Sequence, residues 1–130
     1  MNQRITIALS LLAGAAFGAT AIQGLHAQAK PGALVVVDIS ELTDPEGFKV
    51  IPASPATQPA AVATQGGHYL ARTDNITAFD GTPPKRFIII GFDSVEKAQA
   101  WNNSASQKEI NALRAKTTKS RAFVVESVAN

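Results

Sequence analysis

Few side chains in this 130-residue sequence are equipped for chemistry, and they cluster from its middle onward. There is no cysteine, so thiol nucleophiles and disulfides are excluded and stability must come from packing. Of the two histidines only His68 lies outside the N-terminal leader described below, which excludes a multi-histidine metal site within one mature subunit. The ionisable groups worth following are His68, Arg72, Asp80, Arg86 and Arg114, with Tyr69 and Trp101 close to them in the plan. His68 to Thr73 reads as a strand. A period of two sets His68, Leu70 and Arg72 on one face, with Tyr69, Ala71 and Thr73 on the other. A histidine and a guanidinium facing one space would set a base beside an anchor for a carboxylate or enolate. A plainer reading pairs Arg72 with Asp80 or Glu46 and leaves His68 at a wet strand end. Trp101 reads first as core filler, and Arg114 as a partner for the last carbonyls of its helix. No nucleophile–base pair, carboxylate pair, phosphate loop or metal-ligand cluster is legible in the pattern.

The elements that must carry these groups are organised around Lys85–Trp101. Arg86 to Phe92 is rich in Phe and Ile, which predicts a strand buried on both faces. A helix follows at Asp93 or Ser94, where Asp93 and Glu96 have capping-box spacing and Ser94 is an equally good cap. Asn102-Asn103 breaks that helix, and Ser104 with Gln107 starts another that ends near Lys116. Upstream, Ala33 to Ile39 is a strand with Asp38 expected at the sheet edge. Thr43 or Asp44 caps a short helix reaching about Val50. Pro52 and Pro55 then impose an irregular stretch, with a second helical piece near Pro59–Thr64 closed by Gly66-Gly67. Ile76 to Phe79 is expected to extend an edge hairpin before the Asp80–Pro84 loop, and the last strand spans Arg121–Val128.

Strand, helix, strand, strand, helix, strand is the split βαβ order of an α+β, ferredoxin-like βαββαβ domain. It predicts a four-stranded antiparallel sheet with helices on one face. The other face would leave Val, Ile and Phe bare, and pairing of two copies through it is the natural cover.

Residues 1–29 have the plan of a signal peptide, with Arg4 before a charge-free apolar run and an alanine-rich end. Cleavage after Ala27 or Ala29 would leave a single domain over residues 30–130 in the periplasm or secreted. The alternative is an uncleaved membrane anchor over Ile5–Ile22. Without Arg4, the 12 Lys and Arg fall to eleven against 10 Asp and Glu, a nearly neutral chain with scattered basic residues. That excludes a nucleic-acid footprint, and a membrane is a partner only if the leader stays.

Further residues carry a resemblance: Asp44-Pro45-Glu46 with Phe48, Gly66-Gly67-His68-Tyr69-Leu70-Ala71-Arg72, and Gly81 followed by Pro84-Lys85-Arg86. Phe92-Asp93-Ser94, Ala98, Trp101, Asn103-Ser104, Arg114 and Thr118 continue it, so that nearly all of Ala33–Glu126 resembles the DUF1330 family. The resemblance implies a dimeric α/β barrel, in a superfamily that includes cofactor-free monooxygenases, lactone isomerases and haem-handling proteins. Two departures stand out: prolines where the family has an unbroken amphipathic first helix, and the leader. No cofactor is expected, since haem would have His68 as its sole axial histidine. The expected function is binding of a small organic molecule, an acidic one if Arg72 anchors it, in a sheet–helix cleft. The ligand-binding candidates are His68, Arg72, Tyr69, Asp80, Trp101 and Arg114. The alternative is a structural or interaction dimer module with no ligand site.

Overall fold

Phe and Ile pack the Arg86–Phe92 segment from both sides, and in the computed structural model, which describes residues 31–128, it is an inner strand of the sheet. The strands are β1 (Ala33–Leu42), β2 (His68–Thr73), β3 (Arg86–Phe92) and β4 (Thr118–Glu126). Their order is β2-β3-β1-β4 and every neighbouring pair is antiparallel, the ferredoxin-like arrangement expected from the element order. Along β1 the period of two is clean from Ala33 to Ile39, before the register against β4 shifts at Ser40. Ala33, Val35, Val37 and Ile39 are buried, while Leu34 and Val36 are half-buried on the opposite face. The signal peptide and the rival anchor over Ile5–Ile22 lie outside the described residues. Among those residues, no helix is long and apolar enough to cross a membrane.

The segment between β1 and β2 is broken as its prolines require. It consists of α1 (Pro45–Phe48), α2 (Val50–Ala53), a 3-10 turn (Pro55–Thr57) and α3 (Pro59–Thr64). Asp44 caps α1 by accepting from the Gly47 amide at 3.1 Å, with Pro45 in the first turn. Pro55 and Pro59 likewise open their own short pieces. At the end of α3 the Gly66 amide donates to the Ala63 carbonyl and the Gly67 amide to the Val62 carbonyl, a Schellman closure. Gly66 takes the left-handed φ of 87° this needs. Gly67 is glycine for a different reason: a Cβ there would lie 2.7 Å from the Phe92 ring.

After β3 come α4 (Val95–Asn102) and α5 (Ala105–Thr117). Ser94, of the two residues suited to it, caps α4 by accepting from the Lys97 amide, while Asp93 pairs with Lys97 at the surface. Ser104 caps α5, but the second half of the expected capping box is not made. Gln107 turns instead to the Asn111 side chain. The helices and the broken segment bury one core against the sheet, built on Val35, Val37, Ile39, Phe48, Ile90, Phe92, Trp101 and Ile110.

Three expectations are corrected. Asp38 sits on the inner strand β1, not at an edge; its carboxylate accepts from Arg121 Nε at 3.2 Å, across the β1–β4 pair. Ile76–Phe79 forms no strand, and Phe79 is fully exposed in the connection between β2 and β3. β4 begins at Thr118 and ends at Glu126, because the Thr117 carbonyl that closes α5 accepts from the Thr43 and Asp44 amides and the chain turns straight into the sheet.

Phe92 has no exposed surface and meets Trp101 at a ring-centroid distance of 5.4 Å. Phe92→Ala is expected to cost ~3–5 kcal/mol in urea denaturation. Phe79→Ala should stay within ~0.5 kcal/mol of wild type. Equal costs would contradict this core assignment.

Candidate functional site

Between the sheet and the helical layer lies a pocket of about 50 Å³. Its walls are largely apolar: Val37, Ile88 and Ile90 come from the sheet, Ile51 from the broken segment, and Trp101 and Ile110 from α4 and α5. Six polar residues line it: Thr57, Tyr69, Arg72, Arg86, Gln107 and Arg114. Among the described residues, no aspartate, glutamate or histidine is in the lining.

β2 does not place its side chains by simple alternation. Tyr69 is opposite Ile90 and Arg72 opposite Ile88, with an irregularity between Tyr69 and Ala71. Leu70 is the extra residue of a β-bulge, half-exposed at 49%. The bulge resets the period, so Tyr69 and Arg72 both face the pocket. His68, opposite Gly91, faces the other side of the sheet. The sequence expectation of His68 and Arg72 in one space is therefore corrected. The His68 Nε2 is buried without a hydrogen-bond partner among the described residues, packed over Gly91 near Leu70.

Tyr69 and Arg72 converge on one acceptor. The Tyr69 hydroxyl donates to the Thr57 carbonyl at 2.7 Å and Arg72 Nη1 donates to the same oxygen at 2.9 Å. The guanidinium also lies 4.9 Å from the centre of the Tyr69 ring. That carbonyl is available because the chain leaves the 3-10 turn through an extended Gln58, and the first bond of α3 runs from the Val62 amide to the Gln58 carbonyl instead. Thr57 is held in turn by its own hydroxyl, which donates to the Ile51 carbonyl at 2.7 Å. Burial pushes the Tyr69 phenol above its ordinary value, against the opposing pull of Arg72 and Arg86, so near neutral pH it is a donor.

Arg114 reaches the pocket from α5, where Nη1 donates to Asn111 Oδ1 at 3.2 Å. Burial lowers its guanidinium from the ordinary value, yet an arginine remains charged at any working pH. Arg86 enters from the first position of β3. The ion pairs weighed from the sequence do not form among the described residues: Glu46 pairs with Lys49, and Asp80 is exposed and joined to no basic group. Of the six candidates the structure thus brings Tyr69, Arg72, Trp101 and Arg114 together, and sets His68 and Asp80 apart. Thr57 and Gln107 were missed. Gln107, Asn111 and Arg114 fall on one stripe of a helix, a signal hidden by reading Gln107 only as a capping residue.

Residues 32–128 match the model of a family described as Domain of unknown function (DUF1330). The chain belongs to that family. No curated protein matches it. This DUF1330 chain is similar in fold to a protein of unknown function from Rhodopseudomonas palustris, with a TM-score of 0.56, 11% identity and coverage of 81% of this chain and 91% of that one. It is also similar to a protein described as a candidate antibiotic biosynthesis monooxygenase from Nitrosomonas europaea, with a TM-score of 0.52, 13% identity and coverage of 75% and 99%. A dimeric protein of unknown function and ferredoxin-like fold from Bacteroides fragilis gives 0.49 at 10% identity, over 75% of this chain and 99% of that one. At these identities the likeness is one of fold.

Tyr69 is the only tyrosine in the DUF1330 chain, so phenolate absorbance reads it alone. Its midpoint in the native protein should lie above 10.0, and near that value in denaturant. Since the folded value is the raised one, the stability linked to this proton is complete below the unfolded value and is lost as pH rises through the folded one. Tyr69→Phe should remove that alkaline loss. A native midpoint at or below the denatured one would contradict the assignment.

Proposed function

We propose that this protein binds a small organic acid in the sheet–helix pocket, with Arg72 as the carboxylate anchor. The observation that carries this reading is a charge imbalance. Arg72, Arg86 and Arg114 line one apolar-walled space whose lining holds no acidic side chain, and none of them enters an ion pair among the described residues. The three are half-buried, a partly desolvated cation gains from an anion, and an arginine fork matches a carboxylate with two parallel hydrogen bonds. Tyr69 and Trp101 supply a polar and an aromatic wall. The lining also lacks a group that accepts a proton near neutral pH, which favours binding over acid–base catalysis.

The space is small. Ligand pockets run from about 300 Å³ upward, whereas about 50 Å³ admits little more than water. Occupancy therefore entails movement of the roof, and the roof is the part of the fold made of short pieces. On the signal-peptide plan of residues 1–29, this binding takes place in the periplasm or outside the cell.

The opposite sheet face leaves the pocket free. It carries Leu34, Val36, Phe87 and Ile89, half-buried, with Leu70, Phe123 and Val125 more than 40% exposed. A second copy is the proposed cover, and pairing there involves none of the pocket arginines.

Trp101 is the only tryptophan and lines the pocket, so its fluorescence reports occupancy. A panel of small organic acids should contain members that change it. Arg72→Leu should abolish that response while lowering stability by less than ~2 kcal/mol, the scale of one hydrogen bond to a charged group. A loss of more than ~3 kcal/mol would instead make Arg72 a structural tie of the roof and defeat the binding reading. For the pairing, light scattering at micromolar concentration should give a dimer, with Phe123→Lys shifting it toward monomer. A wild-type monomer would dismiss the interface, which should bury about 1,200 Å² or more.

A further inference from the structure

Resting on that reading, we infer that the ligand is a small dicarboxylate with an apolar spacer, held at one end by Arg72 and Arg86 and at the other by Arg114. Two different layers present the guanidiniums. Arg72 and Arg86 stand on the neighbouring strands β2 and β3, on the sheet wall, while Arg114 stands on α5, in the helical wall. The three are therefore divided between opposite sides of the space, with Ile88, Ile90, Trp101 and Ile110 lining it as well. A carboxylate bound to the sheet-side pair leaves the half-buried Arg114 of the helical wall without an anion of its own.

The donors still available fit this division. A guanidinium has five N–H donors. Among the described residues, Arg72 uses one on the Thr57 carbonyl, Arg114 uses one on Asn111 Oδ1, and Arg86 makes no side-chain hydrogen bond. Gln107 adds a further amide next to Arg114; its Nε2 also donates to Asn111 Oδ1, at 3.0 Å, which holds that end in place. Two carboxylates take two donors each from such an arrangement. The apolar walls between them favour hydrocarbon over a hydroxylated or sugar-like spacer, because a hydroxyl there would lose water without a partner. A compact dianion such as a phosphate monoester gathers its charge at one end and leaves the far guanidinium unmet.

The test is a matched series titrated by calorimetry and by Trp101 fluorescence on the full mature chain. The probes are butanoate, butanedioate and ethyl phosphate. Butanedioate is expected to bind about tenfold or more tighter than butanoate, the effect of one additional charge-assisted contact. It should also bind more tightly than ethyl phosphate. Arg114→Gln should erase the preference for butanedioate over butanoate. Arg114→Lys, which keeps the charge without the fork, should retain part of the preference and guards against a variant that merely fails to fold. Equal affinity for butanoate and butanedioate, or a preference for butanedioate that survives Arg114→Gln, would overturn the two-ended ligand and leave the binding of a monocarboxylic acid standing. Tighter binding of ethyl phosphate would overturn it in favour of a one-ended dianion. Failure of all three probes to bind would overturn the pocket's proposed function together with this inference.

Discussion

The carbonyl oxygen of Thr57 ties the most irregular part of the chain to the most irregular strand. Prolines prevent the β1–β2 segment from forming one helix, and a broken helix must find partners for the backbone groups it leaves over. Thr57 resolves this by receiving Tyr69 and Arg72 together. The bulge at Leu70 is what brings both donors to the same side of β2. Without it, one of the two would point away and the roof would hang by a single bond. The pocket exists between these two departures from regularity.

The sheet beside them is regular over Ala33–Ile39, before a second irregularity at Ser40 against β4, and divides its labour by face. On β1 and β3 alternate residues serve different neighbours: Val35, Val37, Ile88 and Ile90 support the helices, while Leu34, Val36, Phe87 and Ile89 look the other way. The bulge sits on an edge strand, where it disturbs one ladder. The irregularity at Ser40 of β1 likewise falls beyond the β1–β3 pairing and disturbs only the ladder with β4.

Most of the architecture was legible in the sequence because it depends on strong, local signals. The apolar runs, the Ser94 and Ser104 caps, the proline punctuation and the Gly66-Gly67 closure each have one good structural answer. The element order then left few topologies to choose from. Arg72, Tyr69, Trp101 and Arg114 were legible as candidates by residue type. Their grouping was not, since a bulge leaves no compositional trace in His-Tyr-Leu-Ala-Arg-Thr and shifts every side chain after it to the opposite face. Asp38 was misplaced for a related reason: a carboxylate in an apolar strand suggests an edge, whereas the answer was a cross-strand arginine eighty-three positions along the chain.

The clean alternation of β1 fixes where this chain can change length. One residue inserted within Ala33–Ile39 would turn Val35 and Val37 away from the helices and bring Leu34 and Val36 into their place, exchanging the two surfaces of the sheet in one step. The connection between β2 and β3, with Phe79 in solvent and Gly81 at a positive φ of 72°, has no such parity to keep. Insertions and deletions there leave both faces of the sheet as they are, so natural variation in length belongs in that loop and not in the strand.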